Sequence, residues 1–208
     1  MAEDNREQTK KPRFPDLRWE QMGEAQKRVH DSLAGGPRGG VRGPFGPLMR
    51  SPELADRVRA LSDYLRFNTS LPARLNELAI LITARFWRAD YEWYAHKILA
   101  LKAGLEESIP EDMARNRRPG NMKPDEELVY DFCTTLHRQH FVDDALFKRA
   151  VAILGEQKVV DLIGVSGYYT LVSMVLNVAE IPLPPGEKSP WEHNAAAPQP
   201  KKSALKCA

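Results

Sequence analysis

Residues 75–105 read LNELAILITARFWRADYEWYAHKILALKAGL and contain two strongly apolar stretches on either side of a short polar break. In the first, Leu78–Ala84 is apolar on nearly every side, which is typical of a helix buried within one subunit or between two. In the second, Glu92 and His96 stand four residues apart and therefore share one helix face. Glu77 lies nineteen residues before His96. The segment predicts two apolar helices that carry three proton-handling side chains.

Helical periodicity continues on both sides of this segment, with little sign of strands. Ser51-Pro52 is typical of a helix start, Asp90 is predicted to cap a later helix, and Gly104 is predicted to end it. The predicted helices cover residues 19–34, 51–67, 70–87, 90–103, 108–116, 124–139, 143–154 and 156–179. The sequence therefore predicts an all-α protein with seven or eight helices joined by short connections.

The chain is expected to form one domain between two irregular ends. Residues 1–15 are charged and contain proline, which predicts a flexible arm. Residues 16–179 are predicted to form a single all-α domain, and residues 180–208 a proline-rich tail with a lysine cluster. Inside the domain, residues 35–47 combine glycines and prolines with two arginines. This glycine-proline loop is predicted to break all regular structure.

The composition limits the classes of function. The 30 basic and 28 acidic side chains leave a formal charge of +2, which does not indicate a nucleic-acid-binding protein. No apolar run reaches the roughly 18 residues that cross a bilayer, and the polar residues 1–7 differ from a secretory signal. Cys133 and Cys207 are far apart and match neither a disulfide framework nor a metal site. We expect a cytoplasmic protein without membrane or nucleic-acid partners.

A weak internal similarity is compatible with duplication. Leu75–Ile82 and Val159–Val165 both place an acidic residue just before an apolar run. Two similar helical hairpins packed on each other would produce this pattern, and chance would produce it equally well. The sequence leaves both interpretations open.

Spacing alone leaves the chemistry of the three proton-handling groups open. Glu92 and His96 could form an ordinary surface pair that contributes roughly 0.2–0.5 kcal/mol. Glu77, at the edge of an apolar helix, could be a buried structural carboxylate that accepts hydrogen bonds. The second helix is also apolar beyond Glu92 and His96, which favours an interior or a cleft on that side.

Three arginines are candidates for binding a substrate carboxylate, because a guanidinium pairs with it through two hydrogen bonds. Arg38 and Arg42 lie in the glycine-proline loop, where glycine lets the backbone approach a ligand closely. The alternative for both is a flexible connector with solvated side chains. Arg85 is the third candidate, and pairing with an acid at its helix end is the alternative.

His137 and His140 have the spacing of a helical pair of metal ligands, with Asp143 or Asp144 as a possible third. The pattern does not define that third ligand, and residues 134–144 have the composition of a polar helix end. We therefore expect no metal at this position.

The segment Leu75–Leu105 resembles the carboxymuconolactone decarboxylase family, which shares its all-helical fold with alkylhydroperoxidase D. The peroxidase branch has a Glu and then a Cys-x-x-Cys-x-x-x-His run that ends nineteen residues after it. Here Glu77 and His96 match the Glu and the His, whereas Ala89 and Glu92 occupy the cysteine positions. The decarboxylase branch has Glu-x-x-x-His at this point, as at Glu92 and His96.

The resemblance implies an alkylhydroperoxidase D-like helical bundle and a decarboxylase that needs no cofactor. Its substrate would be a small anionic lactone or dienoic acid from aromatic-ring breakdown. His96 would transfer the proton, Glu92 or Glu77 would orient the imidazole, and the arginines would hold carboxylates. The family commonly forms rings of subunits, so we expect a homo-oligomer, a trimer or a hexamer.

Two other functions remain open on the same residues, and one is disfavoured. A hydrolase or isomerase of a related ring-cleavage product would use His96 as a base, and a non-catalytic oligomeric binding protein would keep the scaffold alone. Thiol peroxidase chemistry requires a low-pKa cysteine beside a resolving one. Ala89 and Glu92 supply no thiol, and Cys133 lies on another helix with no second thiol nearby in sequence.

Overall fold

The computed structural model describes residues 13–191, and all regular structure in that range is helical. The helices are α1 Glu24–Ala34, α2 Phe45–Leu48, α3 Pro52–Asp63, α4 Ala73–Trp87, α5 Asp90–Lys102, α6 Ser108–Ala114, α7 Pro124–Gln139, α8 Asp144–Leu154 and α9 Glu156–Ala179. A 3-10 turn at Trp19–Gln21 precedes α1, and a π-helical turn at Tyr64–Asn68 follows α3. The predicted all-α class is confirmed.

Helix bounds agree best with prediction where local signals are strong, and three places differ. The helix predicted over 19–34 is interrupted, because Met22 and Gly23 are extended between the 3-10 turn and α1. The helix predicted over 51–67 leaves the α conformation after Asp63 and continues as the π-turn, our name for Tyr64–Asn68. The glycine-proline loop was predicted to lack regular structure throughout, but α2 begins inside it, at Phe45, whose buried ring holds that end of the loop on the core.

Helix α4 is the centre of the molecule, and α5, α7 and α9 pack against it. Four consecutive side chains, Leu78–Leu81, have no exposed surface, so the expected all-round burial of this helix is observed. Each fully buried leucine or isoleucine contributes roughly 1.5–3 kcal/mol relative to an exposed one. This packing makes α4 a rigid support for any group at its edge.

Helix α9 is long and apolar enough to cross a membrane by length and composition, so the prediction that no run reaches that length was wrong. About half of its apolar window, 56%, is buried inside the protein, along α4. Its Asp161 carboxylate accepts hydrogen bonds from Tyr64, Thr69 and Ser70 at 2.7–3.2 Å. α9 therefore packs as a core helix and also anchors the π-turn.

Both ends of the described range contact the domain. The Arg13 amide donates to the Ala179 carbonyl at 3.0 Å, and the Trp191 ring packs against Trp93 with ring centroids 4.9 Å apart. The predicted arm 1–15 and tail 180–208 fall largely outside the described residues, as does Cys207, and these boundaries stay predictions. The duplication also stays a prediction.

Candidate active site

A cavity of about 330 Å³ lies between the glycine-proline loop, the π-turn, α5 and α9. Three arginines line it: Arg38 and Arg42 from the loop and Arg66 from the π-turn. We call it the arginine cavity. Its size falls in the ordinary range for sites that bind small molecules.

Glu77, His96 and Glu92 form a carboxylate–imidazole–carboxylate group beside this cavity, which we call the acid triad. His96 Nδ1 lies 2.6 Å from Glu77 Oε2, and His96 Nε2 lies 3.0 Å from Glu92 Oε1. The side chains of His96 and Glu92 are each 5% exposed and that of Glu77 is 13% exposed. The packing of α5 on α4 thus joins two segments that are nineteen residues apart in sequence.

The acid triad holds a proton on the imidazole at neutral pH. Burial alone would lower the pKa of His96, but the charges of Glu92 and Glu77 outweigh it and raise the pKa to about 9. The imidazolium can pass a proton to either carboxylate directly, because one carboxylate oxygen already lies within 3.0 Å of each ring nitrogen.

Glu92 is the acid of the triad that reaches the cavity. Glu92 and His96 both line the arginine cavity, whereas Glu77 lies behind the ring, on α4. Both nitrogens of His96 already face carboxylates, so the ring has no free nitrogen for a bound molecule. The second carboxylate oxygen of Glu92 has no ion-pair or hydrogen-bond partner among residues 13–191. A proton would therefore pass to a ligand through Glu92.

The three arginines differ in how far protein groups already hold them. Arg38 donates to Ser62 Oγ, lies 3.5 Å from Asp63 Oδ1, and covers the Phe45 ring at 5.0 Å. Arg42 and Arg66 make no side-chain hydrogen bond or ion pair within the part of the chain that the structure describes. These two guanidinium groups remain available for an anion.

Sequence reasoning missed Arg66. In sequence it reads as an ordinary basic residue near the end of the helix predicted over 51–67. The π-turn changes the helical register there and directs Arg66 to the cavity, and no local pattern in the sequence predicts that turn.

Two tyrosines of α9, Tyr168 and Tyr169, complete the wall beside the acid triad, and sequence reasoning missed them as well. The Tyr169 ring meets His96 edge to face, with centroids 5.0 Å apart and an interplanar angle of 80°. Two adjacent tyrosines in a long, mainly apolar helix were a usable signal, because a buried phenol needs a hydrogen-bond partner.

Arg85 does not line the arginine cavity, so the structure does not bring it together with Arg38 and Arg42. It lies eight residues beyond Glu77 on α4, about 12 Å along the axis. Its Nε donates to the Met113 carbonyl at 2.8 Å, and its guanidinium covers the Trp191 ring at 4.9 Å. Burial lowers the pKa of Arg85, and the neighbouring Arg88 and Arg138 lower it further.

His137, one of the two histidines considered as metal ligands, has other contacts. His137 Nε2 lies 2.9 Å from Thr83 Oγ1, and its ring stacks on Phe86. The Asp143 carboxylate accepts a hydrogen bond from the Leu146 amide. Within residues 13–191, no group of three His, Cys, Asp or Glu side chains is placed to hold a metal ion.

Cys133 has the properties of a structural thiol. It is fully buried, and its Sγ lies 3.5 Å from Ser166 Oγ. Burial raises the pKa of the thiol to about 12, although the Ser166 hydrogen bond opposes the rise. A thiol that stays protonated at neutral pH is a poor nucleophile for peroxides.

Comparison with known proteins gives structural neighbours only. No family model and no curated protein match the chain. A solved structure described as an alkylhydroperoxidase AhpD core, a peroxidase-related protein from Ralstonia eutropha JMP134, superposes with a TM-score of 0.68 and 16% identity, over 81% of this chain and 90% of that one.

A peroxidase-related protein from Silicibacter sp. TM1040 superposes with a TM-score of 0.67 and 14% identity, over 85% of this chain and 94% of the other. The fold is that of alkylhydroperoxidase D. At these identities the likeness concerns the fold alone, and the sequence-based resemblance is confirmed at that level. Chemistry on the alkylhydroperoxidase D scaffold has to be argued from the side chains of this chain.

Proposed function

We propose that this chain is a cofactor-independent decarboxylase of the carboxymuconolactone decarboxylase type. Its substrate is a small anionic lactone or dienoic acid produced in aromatic-ring breakdown. The observation that carries the proposal is the acid triad, which opens through Glu92 onto a cavity lined by three arginines. The coarser statement, an all-α protein with the alkylhydroperoxidase D fold, does not depend on it.

The charges of the cavity support an anionic substrate. The acid triad carries a net charge of about −1 at neutral pH, because one imidazolium stands between two carboxylates. Three guanidinium groups face the same space, and Asp63 compensates only that of Arg38. The excess positive charge attracts an anion and favours carboxylate binding at Arg42 or Arg66.

Decarboxylation needs a path for an electron pair and a proton at carbon. When the carbon–carboxylate bond breaks, carbon dioxide leaves and the bonding pair forms a new double bond to the neighbouring carbon. The pair of the existing double bond is displaced towards the conjugated carbonyl. The conjugated carbonyl oxygen takes up the displaced charge, which gives a dienolate. The dienolate is then protonated at carbon, and a lone pair of its oxygen re-forms the carbonyl double bond. One proton from solvent is consumed in each turnover.

Glu92 is assigned as the acid that delivers the proton, and His96 as the group that supplies Glu92. The 3.0 Å separation between His96 Nε2 and Glu92 Oε1 allows direct transfer. Glu77 orients the ring at Nδ1 and keeps it charged. This refines the sequence-based role of His96, which lines the cavity but supplies its proton through Glu92, because both of its nitrogens face carboxylates.

Observations of this chain weigh against the other candidate functions. A base-catalysed hydrolase or isomerase needs a neutral imidazole with a free nitrogen, whereas His96 is charged and both of its nitrogens face carboxylates. Thiol peroxidase chemistry has no support in Ala89, Glu92 or the protonated Cys133. A non-catalytic oligomeric binding protein could also use the cavity and its arginines, but it gives no role to an imidazolium held between two carboxylates.

Assembly and location are part of the proposal. We infer a cytoplasmic homo-oligomer, a trimer or a hexamer, without membrane or nucleic-acid partners. An exposed apolar stripe on α9 supports self-association, since such a surface is typical of an interface. Its residues are Val160, Ile163, Met174 and Val178, each 40–65% exposed.

The deciding experiment is carbon dioxide release from a panel of carboxylated lactones and dienoic acids. We expect at least one substrate to release carbon dioxide, and Glu92→Gln to lower turnover about 100-fold or more, because an amide cannot supply the proton. Glu107→Gln, on an exposed residue outside the cavity, is the matched control. Product formed without carbon dioxide would favour the hydrolase or isomerase, and unchanged turnover in Glu92→Gln would remove Glu92 from the mechanism.

A further inference from the structure

The hydroxyl of Tyr169 is a buried donor without an acceptor. The residue is 2% exposed, and its Oη has no hydrogen-bond partner among the described residues. Leaving a buried polar group unpaired destabilises a protein, so such groups usually have a function or a ligand. Tyr169 lines the arginine cavity, and phenylalanine would fill the same space without the unpaired group. Because Tyr169 lines the arginine cavity, a molecule bound there is the candidate acceptor for this hydroxyl.

Tyr169 remains a hydrogen-bond donor throughout the neutral range. Burial raises the pKa of its phenol well above the usual value, and the charge of Glu92 raises it further. Tyr168 differs, because its hydroxyl interacts with Ser62. Of these two adjacent tyrosines, Tyr169 has the uncommitted hydroxyl, and it also contacts His96.

Arg66 supplies a positive charge in the same cavity as Tyr169. Its charge opposes the rise in the pKa of Tyr169. The guanidinium lies 5.3 Å from the centre of the Phe67 ring and has no acidic partner among the described residues. The π-turn holds Arg66 at this wall of the cavity. A neutral donor and a free cation beside a proton source form a typical environment for a developing oxyanion.

We propose that Tyr169 and Arg66 form an oxyanion subsite, which binds the enolate-type oxygen of the reacting molecule. This assignment rests on the proposed function in one respect only, the identification of the oxyanion with the dienolate oxygen formed on loss of carbon dioxide. The interactions of Tyr169 and Arg66 with that oxygen become stronger as negative charge develops on it. They therefore stabilise the transition state more than the bound substrate. Glu92, which lines the cavity from α5, then protonates the dienolate carbon.

The subsite also narrows the class of ligand. The bound molecule carries a ketone or lactone carbonyl that can become an enolate, and a carboxylate that pairs with Arg42 at the loop. A phenolate imitates the enolate oxygen in charge and geometry, whereas benzoate imitates the carboxylate. The two probes therefore address the two ends of the site separately.

The test measures binding of 4-nitrophenolate by the change in its visible absorbance, with benzoate binding measured in parallel. In the wild-type protein we expect the phenolate to bind and its pKa to fall on binding. Tyr169→Phe should weaken phenolate binding about 10- to 100-fold, the usual effect of losing a hydrogen bond to a charged group. Benzoate affinity should change less than about 3-fold. Tyr94→Phe, on α5 outside the cavity lining, is the matched control.

Arg66→Met provides a second, independent variant. It should also weaken phenolate binding and cancel the fall in the pKa of the bound phenol, a spectroscopic change that altered packing would not produce. Circular dichroism of both variants shows whether they are folded. Equal phenolate affinity in wild type and Tyr169→Phe, or no phenolate binding to wild type, would overturn the subsite.

These measurements distinguish an error in the oxyanion subsite from an error in the proposed decarboxylase function. Loss of phenolate binding in both variants, without carbon dioxide release from any substrate, keeps the oxyanion subsite and contradicts the decarboxylase. If carbon dioxide is released, Tyr169→Phe should lower kcat about 100-fold with little change in KM. Carbon dioxide release with unaltered kcat in Tyr169→Phe keeps the decarboxylase and contradicts the subsite.

Discussion

At the level of single residues, the acid triad keeps the buried His96 protonated at neutral pH. His96 is almost completely buried, yet it is charged, because two carboxylates stand at its two nitrogens. Solvation alone would favour the neutral ring in this position. The same two contacts that raise its pKa occupy both ring nitrogens, so under the proposed mechanism the proton of His96 reaches a ligand through Glu92.

The charge on His96 predicts how stability depends on pH. The pKa of His96 is about 9 in the folded protein and 6.5 in its ordinary state. Its contribution is therefore fully present below pH 6.5 and is lost as pH rises to about 9, by on the order of 3 kcal/mol. Urea unfolding across this range should show the loss in wild type. In His96→Gln the fall should be largely absent, and parallel curves would contradict the charged imidazole.

Gly43 is the second residue whose conformation matters for the site. Its φ is +58°, and a Cβ there would lie 3.0 Å from Cε1 of Tyr91, closer than side chains normally approach. Gly43→Ala should therefore shift the glycine-proline loop away from α5 and carry Arg42 with it. We expect weaker benzoate binding, by about 5-fold or more, measured by calorimetry. Gly39→Ala is the control for backbone strain without a steric contact, since the φ of Gly39 is +67° and no atom lies within 4 Å of the added Cβ.

At the level of elements, the π-turn is the device that brings Arg66 to the cavity. The carboxylate of Asp161 on α9 accepts hydrogen bonds from the side chains of Tyr64, Thr69 and Ser70, at and just after this turn. Burial opposes ionisation of Asp161, but hydrogen bonds from Ser70, Thr69 and Tyr64 outweigh it and lower its pKa. An acid that resembles Glu77 in sequence thus has a structural role.

Removal of the Asp161 carboxylate should weaken ligand binding in the arginine cavity, although Asp161 does not line that cavity. Asp161→Ala leaves the partner hydroxyls without a charged acceptor, and we expect a loss of about 2 kcal/mol in the free energy of unfolding. Phenolate binding should weaken in parallel, because the π-turn no longer holds Arg66. Thermal melts and the absorbance titration measure both effects. Normal phenolate binding in the destabilised variant would show that the π-turn keeps its form without Asp161.

At the level of the whole molecule, the exposed apolar stripe of α9 bears on assembly. The double variant Val160→Lys with Ile163→Lys places charges on two residues that are 65% and 48% exposed. If this stripe is an interface between copies, the variant should dissociate while its core stays intact. Size-exclusion chromatography with light scattering measures the mass of both proteins, with Glu107→Lys as the control. A wild-type monomer, or an oligomer unchanged by the two lysines, would contradict this interface.

The features that the sequence predicted correctly depend on residues close together in the chain. Helices such as α7 and α9 begin and end where the sequence predicted, since caps, prolines and apolar periodicity act within a few residues. The same reasoning paired Glu92 with His96, because one helical turn separates them. The sequence also placed Glu77 at the edge of the preceding apolar helix, but only the family resemblance assigned it to one site with His96.

The composition of the site was decided by tertiary structure. The arginine cavity combines residues near 38–45, 62–67, 91–96 and 168–172, and no local pattern links these four regions. A π-turn brought Arg66 in, packing on α4 oriented Tyr169 toward His96, and Arg85 was excluded because it lies farther along α4. Helix formation depends on neighbours in the chain, whereas a cavity depends on how finished helices pack, and that packing is set by contacts between distant residues.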